Sequence, residues 1–158
     1  MVAPTYQDVH TMEHKTEKKR KKEIEKMRKK NKVIIRELSS FEKKWLRLFA
    51  ADISKKDFDE HINHGGYIWH VFSWKMKPEE SFLTGDKARE AFDNAQKEGA
   101  VYYEPWPQNG PHNPKYDSPS SYDLDELVEC YVIASDKSWT YIKTHEDGFF
   151  GPYFYKKQ

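Results

Sequence analysis

Apolar positions are nearly absent from residues 11–31, where Ile24 and Met27 make at most one turn of stripe. After that they recur in short bursts separated by turn-forming residues. Ser39, Ser40, Phe41 and Glu42 read as a capping box, with Ser39 as N-cap and Glu42 three residues inside. Phe41, Trp45, Leu48 and Phe49 then follow at helical spacing. Ser54 is placed to cap a second short helix through Asp57, Phe58 and Ile62, ended by Gly65 and Gly66. Residues 67–74 are dense in aromatic and β-branched side chains and predict a central strand. In it Tyr67, Trp69 and Val71 would face one side, and Ile68, His70, Phe72 and Trp74 the other.

A polar turn around Pro78 should follow, and then a third helix capped by Thr84. Ala88, Ala91, Phe92 and Ala95 would form its buried stripe, and Gly99 would close it. Residues 100–104 predict another strand. Residues 105–121 hold five prolines and no periodicity, so they read as a long loop, either a contact element or a lid on its own core. The last third predicts a strand over 127–134, a turn over 135–138, a returning strand over 139–143 and a turn over 145–148. A final strand over 149–155 should be kinked at Gly151 and Pro152, with Pro152 at an edge or bulge. Helices first and a meander later make the fold class α+β, a mainly antiparallel sheet with helices packed on it. Trp45, Trp69, Phe72, Phe92 and Trp139 are the expected core cluster.

Charge changes this picture at the N-terminus. Residues 1–40 carry twelve Lys/Arg against six Asp/Glu, and residues 41–158 carry fifteen against twenty, which hides inside a net charge of +1. A basic arm over 1–32, with a protruding helix, therefore precedes a single α+β domain over 33–158. Glu17 to Lys21 and Glu25 to Lys29 are favourable i,i+4 pairs on a solvated helix. The same run, over 15–32, is the stretch that nucleic acid would use, although its glutamates weaken that case. No apolar run is long enough for a membrane span, and no apolar signal segment is visible, so a cytosolic, bacterial-type protein is expected. Cys130 is the lone cysteine, lies in an apolar run and is read as a small buried side chain.

Candidate chemistry is sparse. His61 and His64 have a spacing that metal ligands use, but no cysteine pair or second motif supports them, so no metal or cofactor is expected. No nucleophile elbow, protease signature or phosphate-cradling glycine loop is present, so no catalytic residue is assigned. His70, His145 and Glu146 remain a possible polar site. His70 reads as a buried histidine with one bonded nitrogen, or as a base or pH-sensing group. A nuclease would need His70, His145 and a carboxylate to converge.

One resemblance adds to this. Gly65, the Trp69-His70-Val71-Phe72-Ser73 run, Trp139, Thr144-His145-Glu146 and Gly151-Pro152-Tyr153-Phe154 together resemble a family of small uncharacterised bacterial proteins, a domain of unknown function. The resemblance covers roughly 41–155 and leaves out the basic arm. Members of that type occur beside polymorphic-toxin and immunity loci. It implies an immunity-type protein that neutralises a toxin domain by binding, with a basic nuclease toxin as partner. On that reading Trp106 and Tyr116 are the aromatic anchors of the contact surface. Glu104, Asp117, Asp123, Asp125 and Glu126 are its negative rim.

Overall fold

A computed structural model describes residues 37–63, 66–105 and 113–158, with isolated positions 3, 19, 21 and 22 before them. The arm and its helix otherwise lie outside the described residues. So do His64, Gly65, Trp106 and the short extended entry expected at 33–36. The chain divides into two compact units, Met1–Trp74 and Lys75–Gln158.

The first unit is helical. Helix α1, Ser40–Phe49, starts as its sequence predicts: Ser39 Oγ accepts from the Glu42 N–H at 3.1 Å, and Glu42 Oε1 accepts from the Ser39 N–H at 3.0 Å. Its buried stripe is Phe41, Glu42, Trp45, Leu46 and Phe49. Leu46 rather than Leu48 thus completes the inward face, because the stripe drifts one position toward the i+5 neighbour of Phe41. Helix α2, Lys55–His61, is capped by Ser54, whose hydroxyl accepts from the Asp57 N–H at 3.1 Å, and it buries Phe58. Gly66 donates to the Ile62 carbonyl, and a Cβ there would stand 1.6 Å from the His61 carbonyl oxygen. Only glycine fits so close an approach.

The expected central strand at 67–74 is not a strand. Its core is one helical turn, α3, His70–Ser73. The N–H groups of His70, Val71 and Phe72 bond to carbonyls three residues back, at 3.0 to 3.1 Å. Ile68, Trp69, Val71 and Phe72 are buried, while Tyr67, His70 and Ser73 are half-buried. Buried positions at i, i+1, i+3 and i+4 mark one side of a helix and contradict a two-residue alternation. Residue type misled here: aromatic and β-branched side chains suit a strand, yet this run closes its hydrogen bonds locally.

The second unit holds a five-stranded antiparallel sheet in the order β1-β5-β4-β3-β2. The strands are β1 Phe82–Thr84, β2 Val101–Tyr103, β3 Cys130–Ile133, β4 Trp139–Lys143 and β5 Tyr153–Lys156. The predicted hairpin is present, with Tyr131 opposite Ile142 and Val132 opposite Tyr141. Strand β1 was unexpected; it pairs with β5, Leu83 opposite Phe154. Thr84 ends that strand and does not cap helix α4, Asp86–Asn94; the N-cap is Gly85, at φ 65°, with no side-chain bond. Pro152 stands ahead of β5, outside its ladder. Beyond the long loop a further short helix, α5 Ser121–Asp125, has its own capping box between Ser120 and Asp123.

Helix α4 lays Ala88 and Phe92 over the sheet face formed by Tyr102, Cys130, Val132, Trp139, Tyr141 and Phe154, and Leu124 of α5 joins them. The Phe92 ring stacks on Tyr141 with centroids 4.3 Å apart and meets Trp139 edge-on at 5.9 Å. Aromatic pairs of this kind add about 0.5–1.5 kcal/mol beyond the area they bury. The architecture is therefore α+β with a mainly antiparallel sheet. All five expected core aromatics are buried, Trp45, Trp69 and Phe72 in the first unit and Phe92 and Trp139 in the second. Among the described residues no helix is long and apolar enough to cross a membrane.

Candidate partner-binding face

Residues 113–116 of the proline-rich segment pack on the sheet ahead of α5. Asn113 donates from Nδ2 to the Tyr102 carbonyl at 3.2 Å. Tyr116 sets its ring edge-on to Tyr102 at 5.0 Å and donates its hydroxyl to Glu104 Oε2 at 3.2 Å. Burial first, and the adjacent Glu104 next, push the Tyr116 phenol up to about 12. Tyr116 is thus half-buried and tied to the core, and Glu104 is buried beneath it. Trp106, the other expected anchor, lies outside the described residues.

The rim residues divide in the same way. Asp117, Asp123 and Glu126 are exposed, although one Asp123 oxygen also accepts from the Ser120 N–H at 2.9 Å. Asp125 points inward: its Oδ2 accepts from Arg89 Nε at 3.2 Å. That inward turn takes Asp125, with Glu104, out of a free negative rim. The exposed aromatic on this segment is Tyr122, one residue before Asp123 and 74% accessible.

Arg89 of α4 gathers three segments. Besides Asp125 it donates to both oxygens of Asp147, at 3.0 and 2.8 Å, and to Asp86 Oδ1 at 3.3 Å. A guanidinium is suited to this, since its fork of donors can engage several carboxylates at once. Asp93, one turn further along α4, accepts from the Ser121 N–H at 2.7 Å and from its hydroxyl at 2.9 Å. Helix α5 is therefore fastened to α4 at two points.

The turn after β4 carries the polar centre. Glu129 is buried, and its Oε1 pairs with His145 Nδ1 at 2.8 Å and accepts from the His145 N–H at 3.3 Å. Its Oε2 accepts from the Tyr131 hydroxyl at 2.9 Å. Glu146 stands 3.9 Å from His145 Nε2. His145 and Glu146 are thus brought together, and Glu129 is the acid that organises them. His70 lies in the first unit, with Nδ1 2.8 Å from the Ser73 hydroxyl and its ring against Trp69. Among the described residues no group of three or more His, Cys, Asp or Glu side chains is arranged to hold a metal ion. Cys130 is buried in the sheet, and that burial pushes its thiol pKa strongly upward, with Glu104 adding to the effect.

A model of a domain of unknown function, DUF4275, matches residues 21–154. The chain belongs to the DUF4275 family. The DUF4275 match begins inside the basic run, so residues 21–40, which the resemblance left out, fall within it. All the candidate residues above also lie in the DUF4275 span. No curated protein and no solved structure matches the chain significantly.

Several residues of this DUF4275 face escaped the sequence reading. Tyr122 was hidden inside a proline- and serine-rich stretch, although the Ser120-to-Asp123 spacing is itself a capping-box signal for a helix there. Arg89 sits next to the Ala88–Phe92 stripe of α4, and nothing in its local sequence marks it as an ion-pair centre. Glu129 gains its partner through the Cys130–Lys143 register, which sets His145 beside it. No local pattern announces that pairing.

Proposed function

We propose that this DUF4275 protein works by binding another protein without turnover, as an immunity-type partner that neutralises a toxin domain. The observation that carries the reading is Tyr122, a large aromatic side chain 74% exposed beside Asp123 on a helix that is firmly fastened. An exposed aromatic on a fixed support is what an interface anchor requires, and the exposed carboxylates of Asp117, Asp123 and Glu126 suit a basic partner such as a nuclease toxin. The cytosolic, bacterial setting belongs to the same proposal. A competing reading, nucleic-acid binding through residues 15–32, draws on the twelve-to-six basic excess of the first forty residues.

The test is a binding titration of the full chain against a basic toxin domain encoded beside its gene. Tyr122→Ala should weaken binding by about tenfold. Reversing Asp117, Asp123 and Glu126 to lysine should slow association and flatten its salt dependence. A chain that ignores the toxin domain and instead binds RNA with a steep loss between low and physiological salt would transfer the function to the basic arm.

A further inference from the structure

The turn over residues 144–150 presents a second pair of aromatics. Phe149 is 90% exposed and Phe150 42%. The turn that carries them is built rather than frayed. Phe149 and Phe150 both donate their N–H groups to the Glu146 carbonyl, at 3.0 and 2.9 Å, and the Thr144 hydroxyl donates to the Phe150 carbonyl. Arg89 holds Asp147 of this turn and Asp125 of α5 at the same time, so the two exposed aromatic elements share one fixed base.

The charge around them is lopsided. Segments 86–94, 121–126 and 145–150 together contain eight carboxylates and two cations, Lys87 and Arg89. Arg89 does not exhaust them. Asp125 Oδ1 is buried with no hydrogen-bond partner among the described residues, and so is the hydroxyl of Tyr141. Tyr141 is fully buried under α4, stacked on Phe92 one turn from Arg89. Burial first and the Asp125 carboxylate next raise its phenol well above the ordinary value, which sets the hydroxyl in the field of the Arg89 cluster.

We propose that α5 and the 144–150 turn form one docking face for a basic, amphipathic protein segment. Tyr122, Phe149 and Phe150 serve as its apolar anchors, and the exposed carboxylates of Asp86, Asp123, Glu126 and Glu146 receive its lysines or arginines. This rests on the protein-binding reading and names the partner's chemistry. Aromatic anchors set dissociation, and the surplus of carboxylates steers approach and excludes acidic partners.

The experiment uses the full chain and two labelled peptides of equal positive charge, followed by fluorescence anisotropy. One peptide has Lys/Arg with Leu at i, i+3 and i+4; the other has Ser in place of Leu. The Leu peptide should bind about tenfold tighter than the Ser peptide, and Tyr122→Ser and Phe149→Ser should each remove most of that difference. Both positions are exposed enough to change without unfolding the chain. Equal binding of the two peptides, or Leu-peptide binding untouched by either substitution, overturns the proposal. Tighter binding of a peptide copied from residues 15–32 overturns it too, assigning the face to the chain's own basic run. A toxin domain that binds the chain and its Phe149→Ser variant equally removes this face and leaves protein binding in place. A chain that binds the Leu peptide but no toxin domain keeps the face and loses the immunity-type role.

Discussion

Residues 67–74 and residues 139–143 are built from the same kinds of side chain and fold differently. Both runs mix tryptophan, tyrosine and β-branched residues. The second is strand β4, paired on both sides, with Trp139 and Tyr141 turned toward α4. The first is a helical turn whose buried residues are Ile68, Trp69, Val71 and Phe72. Residue type reports burial in both cases. Conformation follows from spacing and from whether partner strands exist: β4 has β3 and β5 beside it, whereas residues 68–72 satisfy their backbone groups with their own neighbours.

The largest test of that contrast is Phe72→Ala. Phe72 is buried with its ring edge-on to Trp45 at 5.9 Å, so its truncation should cost about 3–5 kcal/mol in urea unfolding. An unchanged midpoint would mean that the turn contributes no core. On the strand side, Glu129→Ala should cost about 1–3 kcal/mol, since it removes the buried carboxylate that accepts from the Tyr131 hydroxyl and pairs with His145 Nδ1, and Glu129→Gln should recover part of it. Full stability in the alanine variant would show that the pairing is decorative.

Alkaline pH tests the sheet unit in another way. Tyr102 and Tyr116, both beside the sheet, are raised from an ordinary 10.0 to about 12, in each case chiefly by burial. The folded chain keeps these protons while the unfolded chain sheds them. Their contribution is therefore complete below pH 10.0 and is lost as pH rises toward about 12. Urea midpoints measured across that range should fall, and Tyr102→Phe should make the fall shallower.

The smallest effect discriminates conformation directly. Ser73 sits in α3 and is half-buried. Ser73→Ala and Ser73→Val both remove the contact with His70, so their difference reports propensity alone. Alanine should be the more stable by about 0.5 kcal/mol in a helical turn, and the order reverses in a strand.

What was legible beforehand was local. The Ser39–Glu42 box, the Ser54 cap and the hairpin around residues 135–138 are all written within a few residues of one another, and each is in place. Strand β1 was not legible, because three residues have no pattern of their own and their partner Phe154 lies far along the chain. The candidate face was legible in sign but not in residues. The acidic bias around α5 could be counted, while the inward turn of Asp125 and Tyr116 depends on Arg89 and Glu104 arriving from other elements.

Strand β5, made last in the chain, occupies an inner position of the sheet between β1 and β4. Its pairing with β1 joins residues some seventy positions apart, Phe82 opposite Tyr155. The β3-β4-β5 pairings close over far shorter stretches of chain, at a smaller loop entropy than the β1–β5 pairing. Loss of residues 153–156 would strip β1 and β4 of a neighbour at once, so one four-residue strand ties the edge of the sheet to its centre.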